Sequence, residues 1–161
     1  MSTDTTGDTA DHGLAAEPVG YWTGVAHREV IAYIRGQMAA QGLTQPQYWI
    51  LRYLSTHDLA SNESGRTVAE LADGMRSFTL YGDDLAAEAD ALVARGWLTR
   101  DDDGRLRITA DGEAARARVK ANAPAVRAVI HDGIDDAEYV AALKVLRRMI
   151  RNVGGELSPT G

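Results

Sequence analysis

The side chains in this sequence that can do chemistry fall into three groups, each with its own stretch of chain. Arg66, Arg76, Arg100, Arg105 and Arg107 crowd into the middle third, where Ser77, Thr79 and Tyr81 add hydroxyls. A guanidinium is a permanently charged fork of N–H donors suited to phosphate and carboxylate oxygens. Tyr21, Trp22, Tyr33, Tyr48, Trp49 and Tyr53 make up six of the ten aromatic residues and precede that stretch. Their stacking faces and polar tips suit an aromatic acid or a phenol, and at helical spacing they serve equally as packing. His27 lies beside them. Carboxylates form the third group, at Asp83, Asp84, Glu88, Asp90 and Asp101 to Asp103.

Catalysis has no comparable support. His12, His27, His57 and His131 are scattered, and there is no His-Glu-x-x-His, phosphate loop or nucleophile elbow. The acidic clusters lack the histidine or cysteine partners of a transition-metal site, and none has the spacing of a calcium loop. The absence of cysteine excludes disulfides, thiolate metal sites and thiol redox sensing. A protein that is not an enzyme, with no cofactor and no metal, is expected. The formal net charge of −6 argues against nucleic acid at first sight. Residues 1–66 carry −3, residues 67–109 carry −4 and residues 110–161 carry +1, so the arginine-rich middle is also the most acidic part.

The elements that must position these groups are helices. Over 18–41, Trp22, Ala26, Val30, Tyr33, Ile34 and Met38 return to one side with helical period, and Gly42 ends the run. Thr44 and Gln47 have capping-box spacing ahead of a helix whose inner face is Ile50, Leu51 and Leu54. His57 to Arg66 is polar and reads as a loop. Thr67 and Glu70 form a second capping box before Val68, Leu71, Ala72 and Met75. Arg76 to Gly82 is a turn, and Asp83 is expected to cap a helix on which Leu85, Ala89, Leu92 and Val93 share a face. Gly96 closes that helix. Two β-compatible runs, 97–100 and 105–109, flank Asp101-Asp102-Asp103-Gly104, whose Asp-Gly pair signals a hairpin. Thr109 caps a long helix running towards His131. Asp135 and Glu138 open the last, with Tyr139, Leu143, Leu146, Ile150 and Val153 on one face.

The order predicts a mainly α fold: two helices, a helix-turn-helix pair, a β-hairpin and two more helices, which is the winged-helix arrangement. The first and last helices are apolar beyond what a small central core can cover, so a homodimer through them is expected. We read residues 1–16 as a disordered tail and 17–156 as a single domain. Within it, dimerisation helices at about 18–41 and 110–153 flank a lobe at about 44–109, and 157–161 form a C-terminal tail. The N-terminus has no secretory character and no apolar run approaches a membrane span, so a cytoplasmic location is expected.

Four strings place this order within a known family. Leu43-Thr44-Gln45-Pro46-Gln47-Tyr48-Trp49 with Ile50-Leu51, then Thr67-Val68-Ala69-Glu70-Leu71-Ala72, then Leu92-Val93-Ala94-Arg95-Gly96-Trp97-Leu98, then Ile108-Thr109-Ala110-Asp111-Gly112 resemble the MarR family of bacterial transcription regulators over roughly 18–154. The resemblance implies a two-fold dimer held by the terminal helices, with one recognition helix and one wing per subunit presented to duplex DNA. It also implies a small, often aromatic, ligand between the dimer region and the DNA-binding lobe. This sequence departs from the family in its longer turn at 76–82, in an acidic recognition helix, and in a short wing with an acidic tip.

On this basis the expected DNA contacts are Arg66, Arg76, Ser77, Thr79, Tyr81, Arg100, Arg105 and Arg107, with Arg105 foremost because it follows the turn glycine. An arginine there would reach a narrow minor groove, unless the alternating arginines are simply the solvent face of a ribbon neutralised by Asp101 to Asp103. The expected ligand contacts are Tyr21, Trp22, His27, Trp49 and Tyr53, with packing as the rival use. Asp83 and Asp84 are expected to cap the recognition helix through its macrodipole and amides. An acidic recognition helix also admits a rival role for the whole dimer, binding a protein partner in place of specific DNA.

Overall fold

A computed structural model describes residue 11 and residues 13–157. Its elements are α1 (Val19–Ala39), α2 (Gln45–Leu54), α3 (Val68–Met75), α4 (Leu85–Ala94), β1 (Leu98–Arg100), β2 (Leu106–Ile108), α5 (Ala110–Ile130) and α6 (Asp136–Asn152). Mainly helical, with one hairpin directly after a helix pair, this is the winged-helix order. Most of the tail expected to be disordered lies outside the described residues, but 13–15 carry helical backbone, against that expectation. Of the C-terminal tail, 158–161 lie outside them too.

Side-chain caps start these helices where the sequence places them. Thr44 and Gln47, Thr67 and Glu70, and Asp135 and Glu138 all close reciprocal capping boxes. Thr109 Oγ1 accepts from the Gly112 amide at 3.1 Å, and the same hydroxyl donates to the Gly96 carbonyl, tying the start of α5 to the end of α4. Gly112 is there for space: a Cβ would collide with the Trp97 carbonyl oxygen, so the helix passes tight against the chain entering β1.

The hairpin is antiparallel, pairing Leu98 with Ile108, Thr99 with Arg107 and Arg100 with Leu106. Arg66 adds a one-residue third strand, its amide donating to Leu106 O and its carbonyl accepting from Leu106 N. Inside, Leu43, Tyr48, Ile50, Leu51 and Leu54 meet Leu71 and Met75, Ala89 and Leu92, Leu98, Leu106, Ala115 and Val119. At 20–33 cal/mol per Å², each large side chain buried here contributes about 1.5–3 kcal/mol, so α2 is the element around which the others collect.

A charged cluster is buried beside this core. The Asp58 carboxylate, 5% exposed, accepts from Arg52 Nε and NH2 and, at 3.1 Å, from Arg116 NH1. Arg116, itself 7% exposed, also donates to Glu113, and Lys120 Nζ stands 3.8 Å from Asp58. Burial alone would raise the Asp58 carboxyl, but the Arg52 fork, with Lys120 and Arg116, holds it below the usual carboxylate range.

The chain, expected to form one domain over 17–156, divides into two compact units, Met1–Ala121 and Asn122–Gly161. The second unit holds α6, which buries no side chain; Val140, Leu143, Met149 and Ile150 are each at least 40% exposed. Within it His131 packs on Tyr139 and Arg127 lies over the same ring. In the first unit, α1 likewise buries nothing fully, though Met38 packs against the core. Among the described residues no helix is long and apolar enough to cross a membrane.

The buried carboxylate makes a pH prediction. Its folded pKa lies below the unfolded value of about 3.9, so the stability it supplies is complete above that value and is lost as pH falls through the folded pKa. Asp58→Asn at neutral pH should cost about 3–5 kcal/mol, because Arg52 and Arg116 lose the charge that compensates their burial. The variant should also lose part of the parent's acid sensitivity. Urea unfolding from acid to neutral pH measures both, and superimposable curves for variant and parent would rule out this role for Asp58.

Candidate nucleic-acid interface

The start of α4 corrects one expectation. Asp84 is the cap: its carboxylate accepts from the Ala86 and Ala87 amides, both at 3.1 Å. Asp83 does something else. Its two oxygens are gripped by Arg35 of α1, NH1 to Oδ1 at 3.1 Å and NH2 to Oδ2 at 2.9 Å, and Oδ2 also accepts from the Leu80 amide at 2.7 Å. Arg35 Nε donates to Gln45 at the head of α2. Burial alone would raise the Asp83 carboxyl, but the Arg35 fork and the Leu80 amide hold it below its usual range.

The other acidic groups of α4 are also engaged. Gln47 Nε2 donates to Glu88 at 2.7 Å, and Arg100 of β1 donates to Asp90 at 2.6 Å. With Ala89 and Leu92 buried, the outer face of α4 is Ala86, Ala87, Asp90, Ala91 and Ala94. That face carries methyl groups and one carboxylate, and no side-chain donor.

The long turn before α4 is held from inside. Phe78 stacks on Trp49 of α2 at 3.9 Å between centroids and 16° between planes. Around that anchor Arg76 and Ser77 are exposed, and Tyr81 stands wholly in solvent. Arg76 donates to Asp73 at 2.5 Å with both side chains largely exposed. Thr79 is half-buried, its hydroxyl within 3.5 Å of the Arg76 carbonyl oxygen.

In the wing, the residue expected to reach outward turns back. Arg105 donates to the Ser64 and Gly65 carbonyls at 3.2 and 2.9 Å and pairs with Glu70 at 3.3 Å. It fastens the hairpin to the loop before α3. Arg107 bridges Asp101 at 2.7 Å and the Ser64 carbonyl at 3.2 Å. Asp101 organises the tip, its carboxylate accepting from the Asp103 and Arg105 amides, and Gly104 takes the positive φ that closes the turn. The Arg66 guanidinium lies over Tyr53 at 5.7 Å.

The five residues expected around a ligand do not gather at one site. Tyr21, Trp22 and His27 are exposed on the first half of α1, where Tyr21 and Trp22 meet edge to face and Trp22 Nε1 donates to Glu17. Trp49 is covered by Phe78 on one side and by Arg52, 4.4 Å from its ring centre, while Tyr53 OH donates to the Gly74 carbonyl at 2.8 Å. Tyr53 alone of the five lines either of two polar surface hollows, of about 140 and about 440 Å³.

Sequence reasoning passed over Arg35, Asp58 and Phe78, and saw Gln47 only as a cap. Arg35 with Asp83, Gln47 with Glu88 and Asp58 with Arg116 pair across 41 to 58 residues of chain, a distance no local pattern reports. Phe78, the only phenylalanine, was a usable signal: an aromatic residue inside a polar turn needs somewhere to bury its ring.

No family model matches the chain, and no curated protein is similar to it in sequence. Solved structures share its fold. The transcriptional repressor CouR, bound to p-coumaroyl-CoA, is 25% identical with a TM-score of 0.64 over 84% of this chain and 94% of its own. The transcriptional regulator PA3341 is 25% identical, TM-score 0.59, over 85% and 98%. The reduced form of MarR from E. coli is 16% identical, TM-score 0.62, over 83% and 94%.

The two kinds of arginine should separate by stability. Arg105→Ala removes two charge-assisted bonds to loop carbonyls and should cost about 1–3 kcal/mol. Arg76→Ala removes one exposed pair and should fall within about 0.5 kcal/mol of the parent. Thermal melts decide it, and equal midpoints for both variants would mean that Arg105 does not fasten the wing.

Proposed function

We propose that this chain, whose winged-helix fold is like that of the MarR and PA3341 structures, works as a DNA-binding transcriptional regulator of the MarR type in the form of a homodimer. The observation that carries this reading is the unit of α3, turn, α4 and hairpin. It leaves the outer face of α4 uncovered, together with Arg76, Ser77 and Tyr81 in the turn that leads into it. In such a unit the second helix of the pair enters the major groove, and the turn and hairpin meet the flanking backbone and minor groove.

The arginines divide by what they would give up. Side chains of Arg76, Arg100 and Arg107 are 80%, 37% and 43% exposed. Ion pairs of that kind are worth about 0–1 kcal/mol, so exchanging a carboxylate for a DNA phosphate costs Arg76 and Arg100 little, while Arg107 would also release the Ser64 carbonyl. Arg105 would give up two carbonyls as well, and we assign it to holding the wing. Arg66, Thr79 and the Ser77 and Tyr81 hydroxyls complete the proposed contact set. Dimerisation accounts for the uncovered apolar positions: Val19, Tyr21 and Trp22 on α1, and Val140, Leu143, Met149 and Ile150 on α6.

The similar proteins are regulators rather than enzymes, and nothing in them favours a role confined to a protein partner. A regulator of this kind works in the cytoplasm, where its DNA is. CouR is bound to p-coumaroyl-CoA in its structure, and a small aromatic ligand here would be met by Tyr21, Trp22 and His27, the exposed members of the expected set. Trp49 and Tyr53 belong to the packing around Phe78 and Gly74.

Selection of bound duplexes from a random library tests the proposal. A shared sequence motif should emerge, bound by two chains per duplex in sedimentation, with affinity falling steeply as salt rises. Asp84→Asn keeps a good cap and should cost only a few tenths of a kcal/mol. It also removes a carboxylate from the end of the helix nearest phosphate and should tighten binding to mixed-sequence duplex at low salt. No measurable binding to any duplex at low ionic strength sinks the reading. For the ligand, titration with small aromatic acids should change tryptophan emission saturably and shift DNA affinity, and DNA must shift ligand affinity by the same factor. A broad panel without binding better than millimolar returns Tyr21, Trp22 and His27 to packing.

A further inference from the structure

We infer that Arg35 of α1 is a positioning residue for DNA reading: through its two-pronged grip on Asp83 it sets the aim of α4. The inference rests on the DNA-binding reading above and adds a residue outside the helix-turn-helix and wing. Its basis is how few polar contacts fix the near end of α4. That helix fully buries only Ala89 and Leu92, both past its first turn; at its near end Leu85 packs half-buried against the core, and Phe78 anchors the preceding turn several residues upstream. Leu85 holds the helix against the core by non-directional packing, and the directional fixed point at the junction is Asp83.

Two parallel N–H···O bonds from a planar guanidinium define orientation as well as distance, which one contact cannot do. The grip is held from both sides. Gln45 accepts from Arg35 Nε, so the guanidinium plane is set by the head of α2, and the Leu80 amide donates to Asp83, so the carboxylate plane is set by the turn. One turn further along α4, Gln47 donates to Glu88 and supplies a second tether to α2. Asp83 is 10% exposed and Arg35 30%, so water competes weakly for the pair. Base-edge contacts demand placement to within about 0.5 Å, and a helix tethered at two points along one side can deliver it.

A positioning role has a signature distinct from plain stability. Arg35→Ala and Asp83→Asn change the protein's charge in opposite directions, yet both break the grip. Mixed-sequence duplex, which is held by backbone charge alone, should respond to the charge: weaker binding for Arg35→Ala and equal or tighter binding for Asp83→Asn. The duplex selected by the parent protein should lose about tenfold relative to mixed sequence in both variants, the worth of roughly one good base contact. The double variant should lose no more than either single one. Loss of folded protein would lower both affinities together and leave their ratio alone. Arg35→Lys, which keeps the charge but not the fork, should show a smaller fall in ratio and replaces Arg35→Ala if that variant does not fold.

Competition binding with the two duplexes, beside circular dichroism of each variant, reads all of this. Folded variants with the parent's ratio overturn the inference alone. A smaller salt slope for Arg35→Ala at an unchanged ratio would overturn it by making Arg35 a phosphate contact. Failure of the parent to select any duplex overturns the DNA-binding reading beneath it.

Discussion

Asp58 is a carboxylate removed from water, and the first compact unit is arranged so that it can remain ionised. Taking one such group out of solvent costs several kcal/mol, and only close opposite charges with good hydrogen bonds offset it. Arg52 approaches from α2, Arg116 and Lys120 approach from α5, and the loop after α2 brings Asp58 between them. Those requirements fix where α5 begins relative to α2. The Trp97 carbonyl then lies so close to Gly112 that no side chain fits between them. The same arginine that grips Asp58 covers one side of Trp49, whose other face receives Phe78 and so fixes the turn before α4. A single ionic contact therefore bears on the wing, through the start of α5, and on the turn, through Trp49.

A similar use of charge explains why net charge misleads here. The lobe is acidic as a sum, but several of its carboxylates already have partners within the protein. Asp83 belongs to Arg35, Glu88 to Gln47, Asp101 to Arg107 and its own turn, and Asp84 to the amides of α4. What a phosphate would meet is the local arrangement of exposed groups, and Arg76 and Arg100 can change partners at small cost. Arg105 illustrates the opposite case. An arginine beside a turn glycine has the composition of a minor-groove contact, yet two loop carbonyls lie within its reach and take it.

Local signals were the legible ones. Three capping boxes, the Thr109 cap and the Asp-Gly hairpin each depend on residues a few positions apart, and all appear where the spacing predicts them. The winged-helix order follows from those signals alone. Its side-chain sites do not. Asp83 and Asp84 are equivalent as caps in sequence, and only the approach of Arg35 from another helix separates them. The aromatics of α1 and α2 share a type and a period, so the sequence groups them. In space α1 runs about 1.5 Å per residue away from the core that Met38 touches, which carries Tyr21 and Trp22 far from Trp49. Phe78, which settles what Trp49 does, sits in a turn without any period to read.

The alanines on the outer face of α4 bear on how such a protein changes over generations. Ala86, Ala87, Ala91 and Ala94 fill no part of the core, so a longer side chain at any of them creates neither a cavity nor a clash within the fold. The cost is the small difference in helix propensity from alanine, at most about 0.7 kcal/mol for an ordinary residue. An asparagine, glutamine or arginine introduced there would add a base preference in one step. The scaffold that orients the helix and the surface that would carry its vocabulary are thus encoded by separate residues. Duplicated copies of this gene can diverge towards different sequences while every buried contact stays the same.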